Sequence, residues 1–537
     1  MGVPSYFAFL IKNHSNIIKK LLSNTIKIDY LYLDCNSLIY DSVYKINSYA
    51  KNENMSNENM SNEIISQVIK NIREYITLLC PTDSVMIAFD GVAPVAKLEQ
   101  QRSRRFKSLY QNSISRSIMK TTEPDTWNTT VITPGTRFMK TLDKRVKKAF
   151  NDPSEFKLKN IIFSGSEKYG EGEHKIFNHI RENPLEHSDK NTVIYGLDAD
   201  LIMLSINHLP IASNIYLFRE TPHFIKSLNS ELEPNENYLL DIPELAKTIT
   251  LDMNNGNELT TKQHHNRIYD YILLCFFLGN DFMPHFPALN IRTGGIDKMI
   301  QAYKATIGGT NNNLTDGKII IWKNVRKLVQ FLVENEHDFI KQEHKIRDRK
   351  EKHKLPDKTP EEILNNFNNI PTYERSVEKF INPFTDNWQV RYYNALFDIE
   401  INEDRRRQIC VNYLEGLEWT MKYYTSGCPD WRWCYNYSYP PLLCDLIKYI
   451  PFFDTELVHV KPDNPVTEIV QLCYVLPRQS LQFLPVKIYK ALIREKIKWY
   501  KIDCEFHWAY CKYFWESHPN LPDINIEELE NFIEKNK

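Results

Sequence analysis

Tyr195-Gly-Leu-Asp-Ala-Asp-Leu-Ile-Met-Leu204 decides the reading of this chain. The apolar residues from Thr192 to Tyr195 predict a buried strand, which delivers Asp198 and Asp200 at its end. On extended backbone a spacing of two points both carboxylates the same way. Like charges aimed at one spot repel and are costly to desolvate, so a divalent cation between them is expected.

The same pattern recurs upstream. Leu31-Tyr-Leu-Asp-Cys-Asn36 is a short apolar strand ending in Asp34, and Ser84-Val-Met-Ile-Ala-Phe-Asp90 is another ending in Asp90. Asn160 to Gly165 predicts a third strand before the one at Thr192, and Ile215 to Phe218 a further one. Gly170-Glu-Gly-Glu-His-Lys175 opens a helix with Glu171 and Glu173 near its N-terminus, where the helix dipole favours negative charge. Ile268 to Leu278 predicts an apolar helix that stops at Gly279-Asn-Asp281. Strands alternating with helices over the first 290 residues or so imply an α/β fold, a mostly parallel central sheet flanked by helices. In such sheets sites form at the carboxyl ends of the strands, where Asp34, Asp90, Asp198 and Asp200 fall.

Other stretches read as connections. Lys51 to Glu63, in which Asn-Glu-Asn-Met-Ser nearly repeats, predicts a surface loop, and Ile64 to Leu79 a helix. Charge dominates from Lys341 to Glu362, predicting a solvated helix or linker. The organisation expected is therefore a core over 1–340, a charged linker over 341–365 and a second region over 366–537. Arg391 to Tyr424 looks helical, and an aromatic-dense passage follows from Trp419 to Tyr439.

The bulk properties exclude more than they assign. With 67 basic against 68 acidic residues in 537, no global charge attracts nucleic acid, so any electrostatic footprint must be local. The ten cysteines include no CxxC pair, which argues against a disulfide framework or zinc ribbon. Cys504, His507 and Cys511 read as core residues rather than a zinc site. The first residues lack a secretory signal, and Tyr271 to Gly279 is too short an apolar run to span a bilayer. A soluble, cytoplasmic protein is expected, without excluding the nucleus or a viral factory.

Seven acids thus stand at element ends: Asp34, Asp90, Glu171, Glu173, Asp198, Asp200 and Asp281. Magnesium takes oxygen ligands, bound through few carboxylates plus water and substrate phosphate. Two such ions about 4 Å apart clamp the attacking and leaving oxygens of a phosphodiester. Between Lys97 and Lys120, seven basic residues face only Glu99 as an opposing charge, directly after the acid-tipped strand. Arg grips phosphate bidentately and Lys acts as a point charge. A basic grip beside an acidic metal site describes an enzyme that holds one phosphate and cleaves the next. The rings near Trp431 either stack bases or fill a Trp- and Tyr-rich core.

Together these residues resemble the eukaryotic 5′→3′ exoribonuclease family of the Xrn/Rat type. The resemblance is carried by Met1-Gly-Val-Pro4, Leu31 to Asn36, Asp90-Gly-Val-Ala-Pro94, Gln100-Gln-Arg-Ser-Arg-Arg-Phe106 and Ile132-Thr-Pro-Gly-Thr136. It continues through Gly170 to Ile176, Tyr195 to Met203, Gly279 to Phe282, Gly416-Leu-Glu-Trp419, Gly427-Cys-Pro-Asp-Trp-Arg-Trp433, Trp515-Glu516 and Leu521-Pro-Asp-Ile524. It implies a flap-nuclease or PIN-like catalytic core with a mainly helical C-terminal segment packed on it, completing the active-site channel. It also implies a short form, without the family's long C-terminal extension.

As for function, the resemblance implies Mg²⁺-dependent, processive hydrolysis of 5′-monophosphorylated single-stranded RNA to nucleoside 5′-monophosphates. Two ions would sit on the seven acids, with Mn²⁺ as a substitute. Lys97, Gln101, Arg104 and Arg105 match the family's 5′-phosphate pocket. Tyr40 stands where the family commonly has a stacking His, and Trp419, Trp431 and Trp433 are candidates for the second stacking ring. The alternatives are a catalytically silent RNA-binding protein of the same fold and a structure-specific flap-type nuclease.

Overall fold

Apolar runs too short for helices and flanked by turn residues pair into one sheet in the computed structural model. It describes residues 5–21, 26–50, 56–120, 127–220, 225–228, 230, 232–234, 236–398 and 400–537; the Met1–Pro4 motif and positions 51–55 of the low-complexity stretch lie outside them. The strands are β1 (Ile18–Lys20), β2 (Tyr30–Asp34), β3 (Ser84–Ala88), β4 (Asn160–Ser164), β5 (Asn191–Tyr195), β6 (Asn214–Glu220) and β7 (Asn237–Asp241). They lie in the order β1-β7-β6-β5-β2-β3-β4. β6, β5, β2, β3 and β4 are parallel, with Leu31 opposite both Val85 and Val193. β7 and β1 add antiparallel to the β6 edge; neither is evident from sequence.

Every residue of β2 and β3 is buried, as helices on both faces of a parallel sheet require. One apolar core lies on each face, and the larger continues into the helical second region. The order explains where a site can form. From β2 the chain winds outward to β3 and β4, then crosses back to β5 and β6 on the other side. The winding reverses between β2 and β5, which opens a crevice at their carboxyl ends.

Two expectations are corrected. Residues 57–63 are not a loop but the first turns of the helix Asn57–Leu79. Ser56 caps it by accepting from the Asn59 N–H, and Met60, Ile64, Ile65 and Val68 bury one helical stripe that the repeated Asn residues obscured. Nor does a linker begin at Lys341. The helix Trp322–Glu351 runs through it, with Glu336, Ile340, Glu343, His344 and Arg347 buried on one face. The charges there are paired: Arg347 donates from Nε and Nη2 to the two Glu378 oxygens at 2.9 and 2.7 Å, and Glu336 accepts the Leu443 and Cys444 N–H groups. Residues 352–359, mostly exposed, then connect it to the helix Pro360–Asn368, which Thr359 and Glu362 cap with a capping box.

The second region is stitched to the basic helix Val95–Met119. Arg102 donates to the carbonyls of Trp499 and Pro522, and Lys107 to those of Trp515 and Ser517 at 2.8 and 2.7 Å. Two charges of the basic stretch are therefore structural. The helix Glu403–Thr425 passes close beneath the crevice, and at Gly416 an added Cβ would lie 2.2 Å from Met283 Sδ. No helix among the described residues is long and apolar enough to cross a membrane.

Removing one partner of a buried, hydrogen-bonded ion pair typically costs about 3–5 kcal/mol. Arg347→Ala is expected to lower the unfolding midpoint by an amount in that range, whereas Lys345→Ala, two residues away, should leave it nearly unchanged. Denaturant unfolding of the two variants checks this.

Candidate active site

Two strand-to-helix corners build most of the crevice, and they are twins. Glu171 is the N-cap of the helix Gly172–Glu182, with Glu173 in its first turn; Asp198 is the N-cap of Ala199–His208, with Asp200 in its first turn. Both caps have extended backbone, and neither side chain accepts from its own helix, so both carboxylates remain available. The expectation that Asp198 and Asp200 share one extended segment is corrected, because Asp200 is already helical. Their convergence comes from the corner, and the helix N-termini favour the negative charge.

Asp34 ends β2 and Asp90 lies two residues past β3. Gly172 permits their approach: a Cβ there would lie 2.5 Å from Asp34 Oδ1, and its N–H donates to Asp90 Oδ1 at 2.7 Å. Asn36 also holds Asp90, donating from Nδ2 to Oδ2 and accepting the Asp90 N–H at 3.0 Å. Lys97, on the first turn of the basic helix, places Nζ 2.6 Å from both Glu171 Oε1 and Asp281 Oδ2. From the second region Tyr423 donates to Glu171 Oε2 at 2.9 Å and Tyr424 to Asp200 Oδ1 at 3.2 Å. Asp34, Asp90, Glu171, Glu173 and Asp198 line one cleft, and Asp281 and Asp200 adjoin it through Lys97 and Tyr424.

Burial and mutual repulsion dominate its electrostatics. Burial, then the charges of Asp90 and Asp198, push the Asp34 carboxyl well above its usual range. Burial, then Asp200 and Glu171, do the same to Glu173. Burial pushes Asp90 and Asp200 up to about 6. Against the upward pull of burial, Lys97 holds Asp281 well below the ordinary carboxylate range. Burial, then the acids they contact, raise Tyr423 and Tyr424 well above an ordinary tyrosine, so both stay protonated donors.

These residues fit a hard divalent cation. The donors are carboxylate oxygens, which magnesium and calcium prefer. Asp34 Oδ1 is buried with no hydrogen-bond partner among the described residues, an acceptor that lacks a positive group. Glu171, Glu173 and His174 offer ligand atoms within 4.8 Å of one another, whereas Cys504, His507 and Cys511 form no such group among the described residues. Burial keeps His174 neutral, and its ring stacks on Tyr423 at 3.8 Å.

A cleft of about 1000 Å³ leads from these acids along the basic helix. Lys97, Gln101, Arg104 and Arg105 all line it, Lys97 at the acid end and buried between two carboxylates. Arg105 leans on the carbonyls of Thr130 and Ile132, whereas exposed Arg104 has no hydrogen-bonding partner among the described residues. Tyr40 also lines the cleft, with 42% of its surface exposed.

The Trp candidates fare differently. Trp419 is fully buried, with Tyr423 and Trp433 stacked on it at 4.9 and 5.1 Å, so no base can reach it. Trp431 is buried too, its Nε1–H on Asp463, and Trp433 is half-buried against Trp419. None of the three lines the cleft; Trp515 does. Trp515 was quotable from sequence as part of Trp515-Glu516 but was not singled out as a ring. Asn36 and His174 also lie inside quoted motifs, whereas nothing in the sequence marks Tyr423 or Tyr424 among so many aromatics.

Comparison with known proteins follows the same residues. Residues 1–221 match the family described as XRN 5′-3′ exonuclease N-terminus, and residues 261–379 and 373–536 match the Xrn1 helical domain. The chain is 27% identical to the 5′-3′ exoribonuclease 1 of Saccharomyces cerevisiae, across 90% of this chain and 40% of that protein. It is 25% identical to the 5′-3′ exoribonuclease 2 of Gallus gallus and 26% to a homolog of that enzyme in Drosophila melanogaster, covering 70% of each. The chain therefore spans less than half of the yeast relative and about two thirds of the others.

Two outcomes are expected. Groups that orient metal ligands typically contribute about 10–100-fold to metal affinity. Tyr423→Phe and Gly172→Ala should each weaken Mg²⁺ or Mn²⁺ binding by that order in calorimetry, with circular dichroism unchanged. The second concerns pH. Asp90 and Asp200 titrate near 6 in the folded chain and near 4 when unfolded, so the folded state holds more protons between those values. The stability they contribute is present below about pH 4 and is lost as pH rises through about 6. In chelator the melting temperature should therefore fall between about pH 4 and 6 and level off above that, and millimolar Mg²⁺ at pH 7 should restore it.

Proposed function

Because this chain belongs to the XRN 5′-3′ exonuclease family, we propose that it is a 5′→3′ exoribonuclease that hydrolyses 5′-monophosphorylated single-stranded RNA processively to nucleoside 5′-monophosphates. The observation that carries this reading is the joining, in one cleft, of buried acids and a basic helix whose Arg104 has no hydrogen-bonding partner among the described residues. Magnesium, as two ions, is the cofactor proposed.

Each part of the cleft has a role. Arg104 has its guanidinium free to grip a terminal phosphate bidentately, with Arg105 and Gln101 beside it. A cap would bury this grip under a second, bulky group, so a capped end is refused. Tyr40 and Trp515 present rings to the terminal bases, a contact that tolerates any sequence. Tyr remains uncharged where a His can be protonated, so the ring supplies stacking alone. Lys97 links the two ends: its ammonium, kept protonated by Asp281 and Glu171 against burial, places positive charge beside the bond to be cut. When bound, divalent cations at the seven acids supply the charge that stabilises the attacking and leaving oxygens of the phosphodiester. After each cut the new 5′ phosphate meets the same Arg104 and Arg105, which aligns the next bond.

Purified protein with Mg²⁺ should release mononucleotides from 5′-monophosphorylated RNA and not from capped RNA. Equal rates on both ends, or internal cutting at a DNA flap, would overturn the reading. Asp198→Ala with Asp200→Ala should abolish cleavage while RNA binding persists. Arg104→Ala should lower kcat/KM on 5′-monophosphorylated RNA by about tenfold or more, in line with losing a hydrogen bond to a charged group.

A further inference from the structure

The basic helix Val95–Met119 walls two cavities. Lys97, Gln101, Arg105 and Ser108 face the cleft, while Ala96, Gln100, Ser103 and Lys107 share the neighbouring face, as a 3.6-residue repeat requires. That second face lines a separate cavity of about 430 Å³, within the size range of small-molecule sites. Arg104 sits on the ridge between the faces and, with Lys107 and Trp515, lines both spaces. The other walls come from the Leu278–Pro287 turn and the aromatic passage, with Phe282, Tyr435, Tyr437 and Tyr510 among the lining rings.

The charges around this cavity are largely spent. Glu99 accepts from Tyr474, Glu516 pairs with Arg292, Asp281 pairs with Lys97, and Lys107 is held by two carbonyls. Arg104 is left, with no hydrogen-bonding partner among the described residues. Unspent neutral groups lie in the same walls: Gln100 Oε1, Asn280 Nδ2 and His285 Nε2 are buried without partners among the described residues. Burial pushes His285 down to about 4, so its ring is neutral. Aromatic faces, unpaired neutral donors and acceptors, and one free guanidinium are what a nucleotide offers partners for: a base to stack, base edges to pair, and a phosphate.

Processive cutting creates a need for such a place. The cleft in front of the acids is filled by the RNA, and the vacated 5′-phosphate grip must empty before the next phosphate enters it. We infer that the second cavity takes the released nucleoside 5′-monophosphate, passed across the helix by Arg104, so that product leaves without the RNA letting go. This rests on the exoribonuclease reading above.

The test uses adenosine 5′-monophosphate and the full chain with Mg²⁺. Bound behind the helix but against the shared Arg104, it should give mixed inhibition against 5′-monophosphorylated RNA, lowering kcat as well as raising KM. Purely competitive inhibition would overturn the inference. Ser103→Trp fills the cavity from the helix side, and Ser438→Trp narrows it from an exposed turn where a bulky residue is tolerated. Each should leave the first cut, measured with enzyme in excess, within twofold of the unsubstituted chain, while continuous mononucleotide release slows about tenfold. Unchanged release in a folded variant, or equal loss of the first cut and of later ones, would overturn it. Should the unsubstituted chain release no mononucleotide, the exoribonuclease reading fails. Equilibrium dialysis of adenosine 5′-monophosphate then decides separately: binding that Ser438→Trp or Ser103→Trp abolishes upholds the cavity as a nucleotide site, and binding unaffected by both removes it.

Discussion

Seven carboxylates gathered at the mouth of one sheet are a constraint that the rest of the structure has to meet. Out of water they repel one another, and burial alone drives several towards the protonated form. The chain supplies partial relief from every side: Lys97 between Glu171 and Asp281, Asn36 and the Gly172 N–H on Asp90, two tyrosine hydroxyls on Glu171 and Asp200. Two helix N-termini add their dipoles. What remains unmet, above all Asp34 Oδ1, which has no partner among the described residues, is where the proposed cation would bind.

This constraint makes the two regions one unit. The first supplies the acids, but the hydroxyls that orient them come from the helix Glu403–Thr425 of the second, through residues 252 and 224 positions away in sequence. In return, Arg102 and Lys107 of the first region hold down the segment that carries Trp515, the ring facing the cleft. The basic helix is therefore a strut as well as the proposed phosphate grip. Arg102 serves only as a strut, whereas Lys107 is a strut that also lines the spaces on either side of the helix.

Much of this was legible in the residues themselves. An apolar pentad followed by an acid needs no partner to be recognised, so the parallel strands and the acids Asp34, Asp90 and Asp198 could be read directly. The corner at Asp198 was misread because two acids spaced by two look alike on a strand end and at a helix start. Only the first turns of the helix Asn57–Leu79 were hidden, by repeated Asn residues that conceal Met60 as the start of the stripe through Ile64 and Val68. The stretch through Arg347, read as a solvated helix or linker, is a helix, but its buried face was not legible because the neutralising Glu378 lies beyond it in sequence. Tyr423, Tyr424 and Trp515 share one cause: which of many rings meets the cleft depends on packing between distant segments. Trp419, the most motif-like, is the one most deeply enclosed.

The central claim is that the acid cluster is a divalent cation site. Crystals of the protein soaked in Mn²⁺ test it through anomalous scattering. The account expects peaks at about 2.0–2.2 Å, a spacing typical of small divalent ions, from oxygens of the seven acids, with Asp34 Oδ1 among the ligands. A map with no peak in the crevice, and Lys97 still bridging Glu171 and Asp281, would contradict it.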